Sequence, residues 1–405
     1  MLAMCSPREL SHRLQAPAWP SLAALGAAAD RVAHSITHVQ IKPFAIERYY
    51  ERWEFRAELM LSSSDCESQT VAELLALEPD ARERLLALRL GYTEVPGSEE
   101  LRTSVAALYE HVAPAEVLTL AAAEEGIFIA YHALLAAGDH VVVESPCYGS
   151  AIELAHSTGA DVSMWQRRYE DGWAYDLAEL ERLLRPETKL VYINSPHNPT
   201  GTQMPCAALQ RLIELLAERS IVLFSDEVYQ GLEHDHADRL PAACDLYDRA
   251  ISLNTVSKAY GLPGLRIGWL ACRDRALLER IIELKLYTTI CSSAPSELLV
   301  ALVLRHSQQL VEGSRRLVLA NLPLIDDLLE RRRELFQWVR PTAGPIGFPR
   351  VSGDFDVQAW CEQIAEQAGV LLLPGAVYGQ PRHVRVGFGR ANLLDAIARL
   401  DEYLG

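Results

Sequence analysis

The chain lacks any excess of positive charge: 54 Asp and Glu residues against 38 Lys and Arg leave a formal net charge of −16. A nucleic-acid partner needs a basic face to meet its phosphates, so that class is excluded, and the acidic balance favours solubility. Closely paired cysteines are also lacking. The eight present, Cys5, Cys66, Cys147, Cys206, Cys244, Cys272, Cys291 and Cys361, are scattered along the chain. That spacing argues against a disulfide framework or a thiolate metal site and fits reduced thiols. His234-Asp235-His236 offers only two metal ligands, so no metal is expected. A membrane-spanning run is missing too. The apolar Ala16–Ala29 stretch follows Arg8 and Arg13 like a secretory signal, but Pro17 and Pro20 break it, Asp30 ends it and it is too short to cross a bilayer. The expectation is a cytoplasmic protein whose Ala-rich stretch packs on a partner subunit. Repeats, low-complexity tracts and Pro/Ser linkers are absent.

A large apolar core remains possible: 405 residues, 49% of them hydrophobic, exceed the size at which a single core stops growing, which predicts two domains. Short β-branched runs at His140–Glu144, Lys189–Asn194, Ile221–Ser225 and Ala250–Asn254 alternate with longer helical stretches, the pattern of an α/β chain with a largely parallel sheet. The helical stretches include Glu78–Arg89, Phe128–Ala136 and Asp176–Glu187. We expect a large domain over residues 70–300. A smaller, discontinuous one combines 1–69 with 301–405, joined through one long helix around Ser296–Leu322.

Chemistry-bearing residues follow each strand. Tyr148 follows the first, in Glu144-Ser145-Pro146-Cys147-Tyr148, and Asn198 the second, in Asn194-Ser195-Pro196-His197-Asn198-Pro199. Asp226 and Tyr229 close the third, in Ser225-Asp226-Glu227-Val228-Tyr229. Lys258 follows the fourth, in Asn254-Thr255-Val256-Ser257-Lys258-Ala259-Tyr260-Gly261-Leu262-Pro263-Gly264-Leu265-Arg266. Open α/β sheets bind ligands at that edge. Taken singly, each residue has a plainer reading: a turn for Asn-Pro, a helix cap for Asp, core for Tyr. Together and in this order they resemble the fold-type-I, class I/II aminotransferase family, with Lys258 at the pyridoxal-phosphate attachment site.

The resemblance, which runs from about Tyr92 to Arg390, implies a mostly parallel central sheet sandwiched by helices, a smaller α+β domain, and pyridoxal 5'-phosphate as cofactor. It makes Lys258 the Schiff-base residue, whose amine must lose its proton to attack an aldehyde. Thr255 and Arg266 would hold the phosphate, with Pro263 and Gly264 folding the chain back to bring the arginine near. Asp226 would keep the pyridine nitrogen protonated, Asn198 and Tyr229 would donate to the ring oxygen, and Tyr148 would stack on the ring. A helix N-terminus should meet the phosphate. Here it reads Ala122-Ala123-Glu124 where the family usually has a glycine-led turn, so the backbone amides of Ala123 and Glu124 are assigned, with the Glu124 side chain directed elsewhere. In His383-Val384-Arg385-Val386-Gly387-Phe388, Arg385 is the candidate clamp for a substrate carboxylate, with Arg382 and Arg390 as nearby competitors. Tyr92, after Gly91, resembles the residue that reaches the phosphate held by the other subunit, which implies a homodimer with shared active sites.

The reaction implied is transamination of an amino acid with a keto-acid acceptor. Leu61-Ser62-Ser63-Ser64-Asp65 and Pro374-Gly375-Ala376-Val377-Tyr378-Gly379-Gln380 are similar to capreomycidine synthase-like members of the family. They open the alternative of a cyclase or β-elimination lyase acting on an arginine-derived substrate. Ser62–Asp65 would then lie over the substrate side chain, with Asp65 pairing to a cationic one.

Overall fold

The structure, a computed structural model, describes residues 41–405, which form one compact unit. The Ala16–Ala29 stretch, Cys5 and the first part of the expected small domain lie outside the described residues. After helix α1 (Ala45–Trp53) comes the short strand β1 (Leu59–Met60). The centre is a seven-stranded sheet of β2 (Val117–Leu120), β3 (His140–Ser145), β4 (Asp161–Gln166), β5 (Thr188–Asn194), β6 (Val222–Asp226), β7 (Ala250–Thr255) and β8 (Gly268–Ala271). Their spatial order is β2-β8-β7-β6-β5-β3-β4. The β7-β6-β5-β3-β4 pairings are all parallel, and β8 runs antiparallel to both of its neighbours.

Burial explains why four of these strands are legible as apolar runs. Every residue of β3, β6 and β7 is buried, and all but one of β5. Strands covered on both faces lose the alternating pattern and become nearly continuous in hydrophobicity. Edge strand β4 is only partly covered, and β2 and β8 have four residues each, so they carry a weaker signal.

Helices flank the sheet: α2 (Glu99–Ala106), α3 (Ala123–Leu134), α4 (Gly149–Ser157), α5 (Cys206–Ala217) and α6 (Arg275–Lys285). The Asp274 carboxylate caps α6 by accepting from the Ala276 and Leu277 amides. Where one helix is expected over Ser296–Leu322, there are two, α7 (Ala294–Arg305) and α8 (Ser307–Arg331). His306 breaks the run, with φ −111° and ψ 21°, and its ring meets Glu78 at 3.2 Å. The apolar period continues across the break, which is why the sequence reads as a single helix. Pro323 does not end α8. Among the described residues no helix is long and apolar enough to cross a membrane.

The C-terminal part adds β9 (Phe336–Gln337), β10 (Ile346–Gly347), β11 (Arg350–Val351), helix α9 (Val357–Ala368), β12 (Val370–Leu371), β13 (Leu373–Pro374), β14 (Val384–Gly387) and helix α10 (Leu393–Leu404). Strand β14 lies between β10 and β13, and β1 pairs with β12. Beyond β1 the segment Ser62–Asp65 crosses β14 at Gly387. The Gly387 amide donates to Leu61 O at 2.9 Å, and a Cβ at this glycine would sit 2.0 Å from Ser63 O. Only a residue without a side chain lets the two backbones approach this closely.

Candidate active site

A cleft of about 390 Å³ opens at the C-terminal edge of the parallel strands. Ala123, Glu124, Tyr148, Asn198, Asp226, Tyr229, Thr255, Lys258, Arg266 and Arg385, ten of the eleven expected site residues, line it. Tyr92 does not: it is 91% exposed, away from this chain's own cleft.

The strand register sets the cleft's floor. Asn194 pairs with Asp226 across β5 and β6, and Asp226 with Leu253 across β6 and β7, so these strand ends are level. Asp226 accepts from the Tyr192 hydroxyl at 3.0 Å and from the Val228 amide at 3.3 Å. Burial pushes its carboxyl up to about 6, with these two bonds and Lys258 opposing. Lys258 stands on the turn after β7. Loss of hydration lowers its amine below the usual lysine range; Asp65 opposes this and Arg385 adds to it. The Lys258 Nζ donates to Ser64 Oγ at 2.9 Å.

One side of the cleft presents donors to an anion. Arg266 follows a 3₁₀ turn over Pro263–Leu265, in the left-handed conformation with φ 51°, and donates to Pro263 O at 3.0 Å. It forms no ion pair with any described residue. The Thr255 hydroxyl donates to Ile267 O at 2.8 Å and meets Ser257 Oγ at 3.0 Å. Opposite, α3 begins after Ala122, whose φ of 72° is the backbone that a glycine adopts without strain. No side chain caps this helix, which leaves its first-turn amides free to meet an anion. The Glu124 carboxyl, which lines the same cleft, feels Ser150, Glu47 and Asp226. Burial is the largest of these effects and pushes it up to about 7.

The other side holds Arg385, 2% exposed on β14. Its guanidinium donates to Tyr378 and Tyr50 hydroxyls, each at 2.6 Å, to Asn198 Oδ1 at 3.1 Å, and to Ser62 O from two nitrogens at 2.8 and 3.2 Å. All five donors meet neutral oxygens, and no described carboxylate pairs with it. Of its two competitors, Arg390 lines the same cleft and Arg382 does not, and both are engaged by other groups. Arg390 pairs with Asp65 at 2.8 Å, and Arg382 donates to the Val351, Gly353 and Phe355 carbonyls. Asn198 is held by its own amide on Asn194 Oδ1 at 2.7 Å and by Tyr378, whose hydroxyl donates to Asn198 Oδ1 at 3.0 Å. Tyr148 packs edge-on against Phe44 and donates to Glu47 at 2.6 Å.

Several lining residues were not anticipated from the sequence. Ser257 carried a signal, since it adjoins Lys258 in the quoted motif; Tyr378, which does not line the cleft but accepts from Arg385, lies in the Pro374–Gln380 segment. Tyr50, Glu47 and Glu54 had none: they lie on α1 and at its C-terminal end, outside every quoted motif, yet they line the cleft. His234 spends its ring on Gly344 O at 2.9 Å.

The chain matches the family described as aminotransferase class I and II over residues 57–400. Capreomycidine synthase of Streptomyces vinaceus is 34% identical over 373 residues, covering 89% of this chain and 92% of that protein. A PLP-dependent aminotransferase from Streptococcus suis 89-1591 superposes with a TM-score of 0.85 at 31% identity, covering 90% and 98% of the two chains. A PLP-dependent cyclase superposes at 0.84 with 28% identity, covering 91% and 99%. The donor set in the cleft suits such a cofactor: a desolvated amine, an arginine without a carboxylate partner beside uncapped helix amides, and a carboxylate at the floor. The chain belongs to the aminotransferase class I and II family and is an enzyme that works with pyridoxal 5'-phosphate.

Proposed function

We propose that the enzyme transfers the amino group of an α-amino acid with a cationic side chain to a keto acid, using Lys258 as the attachment point and base. The observation that carries this reading is Arg385, a buried guanidinium with no described carboxylate partner, in the same cleft as a desolvated lysine. A fork of this kind suits the bidentate contact of a carboxylate, with the Tyr50 and Tyr378 hydroxyls holding the positions at its two ends.

Bound in the cleft, the cofactor supplies an aldehyde that condenses with an amine and a ring that accepts electrons as the substrate Cα loses its proton. Arg266, Ser257, Thr255 and the amides of Ala123 and Glu124 would hold its phosphate. Asp226, ionised above its pKa of about 6, would keep a proton on the ring nitrogen. Asn198 and Tyr229 would donate to the ring oxygen, and Tyr148 would stack on the ring. Lys258, kept easily deprotonated by desolvation, would serve as the base for the substrate Cα proton.

Asp65 is neutralised by Arg390, so it is a poor counterion for a substrate. Glu47 and Glu54 line the cleft without an ion-pair partner among the described residues, and they suit a cationic side chain. Tyr92, exposed on this chain, reaches the second site of a homodimer in this reading. The seven-stranded sheet supports a large domain over 70–300, with 41–69 and 301–405 forming most of the smaller one.

A second reading, a cyclase or lyase on an arginine-derived substrate, is favoured by the likeness to capreomycidine synthase and to the PLP-dependent cyclase. One experiment separates the two. The holoenzyme is mixed with a panel of amino acids including arginine and β-hydroxyarginine, without keto acid, and its absorbance followed. Transamination converts the cofactor once per site to pyridoxamine phosphate and then stops. Repeated turnover with the starting spectrum restored refutes transamination and establishes the second reading.

A further inference from the structure

The Lys258 amine has one side-chain partner among the described residues, the hydroxyl of Ser64, and nothing in the reading above uses that residue. The contact is built by tertiary structure, since the two residues are 194 positions apart. Ser64 is 9% exposed and belongs to a segment pinned at both ends. On one side the Gly387 amide donates to Leu61 O. On the other the Cys66 amide donates to Lys258 O at 3.3 Å, the Glu67 amide to Gly389 O at 2.9 Å, and Arg390 pairs with Asp65. The bond from Cys66 to Lys258 ties the backbone of the serine segment directly to that of the lysine turn. The same hydroxyl also acts on the Tyr229 phenol, lowering a pKa that burial raises.

We infer that Ser64 is a catalytic residue whose hydroxyl receives the Lys258 amine whenever that amine is free of the cofactor. This rests on Lys258 being the attachment point and base. A free amine at this position alternates between a neutral form, which attacks or takes a proton, and an ammonium, which returns one. Ser64 Oγ accepts a hydrogen bond from the ammonium and keeps its own hydrogen, so no covalent bond forms or breaks at the serine. An acceptor at 2.9 Å favours the charged form. It holds the proton on the lysine between its removal from one carbon and its delivery to another. Desolvation and Arg385 work in the opposite direction. Asp65, Tyr50 and Glu47 work in the same direction as Ser64. Asp226 and Glu54 also feel the lysine charge, and Arg266 shares the cleft. The serine is the uncharged member of this set in direct contact with the amine.

The test is cofactor capture by the full-length chain after its cofactor has been removed. Pyridoxal phosphate is added back across a range of pH. Its attachment is followed by absorbance and fixed with borohydride, so that the modified peptide can be identified by mass. Capture needs the neutral amine, so its rate rises with pH. Removing an acceptor of a charged donor in Ser64→Ala should move the profile about one pH unit lower and speed capture up to about tenfold on the acid limb. Ser64→Thr, which keeps the hydroxyl, should retain the wild-type profile. Ser64→Gly provides a second deletion, and thermal melting checks that each variant is folded. Superimposed wild-type, Ser64→Ala and Ser64→Gly profiles would overturn the inference, as would a Ser64→Thr profile displaced as far as that of Ser64→Ala. Lys258→Ala keeps the two readings apart: covalent capture in that variant would sink the lysine assignment itself, whatever the serine variants do.

Discussion

Replacing Arg385 by lysine keeps the charge and removes the fork. The native guanidinium meets four residues through five N–H groups, at 2.6 to 3.2 Å. An ammonium offers three donors and no plane, so it cannot take a carboxylate bidentately in place of the Tyr50 and Tyr378 hydroxyls while keeping its other contacts. Losing one charge-assisted contact costs about 1.5–3 kcal/mol, or roughly 10- to 150-fold in kcat/KM. The assay compares arginine with agmatine, the same side chain without a carboxylate, in wild type and Arg385→Lys. The variant should lose its activity toward arginine by that factor while agmatine changes little, so the preference for the carboxylate collapses. Cofactor content, read from absorbance, should stay at wild-type level. An equal loss on both substrates would show that the substitution acts through folding, and unchanged kinetics would remove Arg385 from the substrate site.

Two further outcomes follow from burial and close packing. The rise of the Asp226 carboxyl from 3.8 to about 6 means that the cofactor-free protein is stabilised by this group below pH 3.8 and loses that contribution as pH climbs through 6; the difference is roughly 3 kcal/mol. Cofactor-free Asp226→Asn should therefore melt above wild type at pH 8, with the gap closing toward pH 4, and a gap independent of pH would refute the cause. Gly387→Ala forces a methyl against Ser63 O and should cost about 1–3 kcal/mol by denaturant titration, with activity falling as Ser62–Asp65 shifts; an unaltered midpoint would count against the close approach.

Legibility in the sequence followed how local each cause was. Lys258 and Arg266 sit on one turn, and Tyr148, Asn198 and Asp226 at or just after ends of strands buried on both faces, so residue type and position sufficed to place them in one cleft. Arg385 stood out by residue type and strand context, but the reason to prefer it over Arg390 and Arg382 is tertiary: Asp65 lies 325 positions from Arg390, and three backbone carbonyls occupy Arg382. Ser64 illustrates the same limit, because a serine run carries no mark that one hydroxyl will meet a lysine far along the chain. The break at His306 was hidden for the opposite reason, a local backbone change inside an uninterrupted apolar period.

The reversal of β8 brings Lys258 and Arg266 onto a single connection between two neighbouring strands, where a crossover helix would have parted them. The covalent and the ionic anchors proposed for the cofactor thus belong to one turn, whereas Glu47, Tyr50, Ser64 and Arg385, which line the same cleft, come from the two ends of the described chain, with Arg385 donating to Tyr50 and Tyr378. Variation within residues 47–65 and 378–390 can therefore redraw what the cleft accepts without altering the Lys258–Arg266 turn itself, and it reaches the proposed cofactor residues only through contacts such as Ser64 to Lys258 and Arg385 to Asn198.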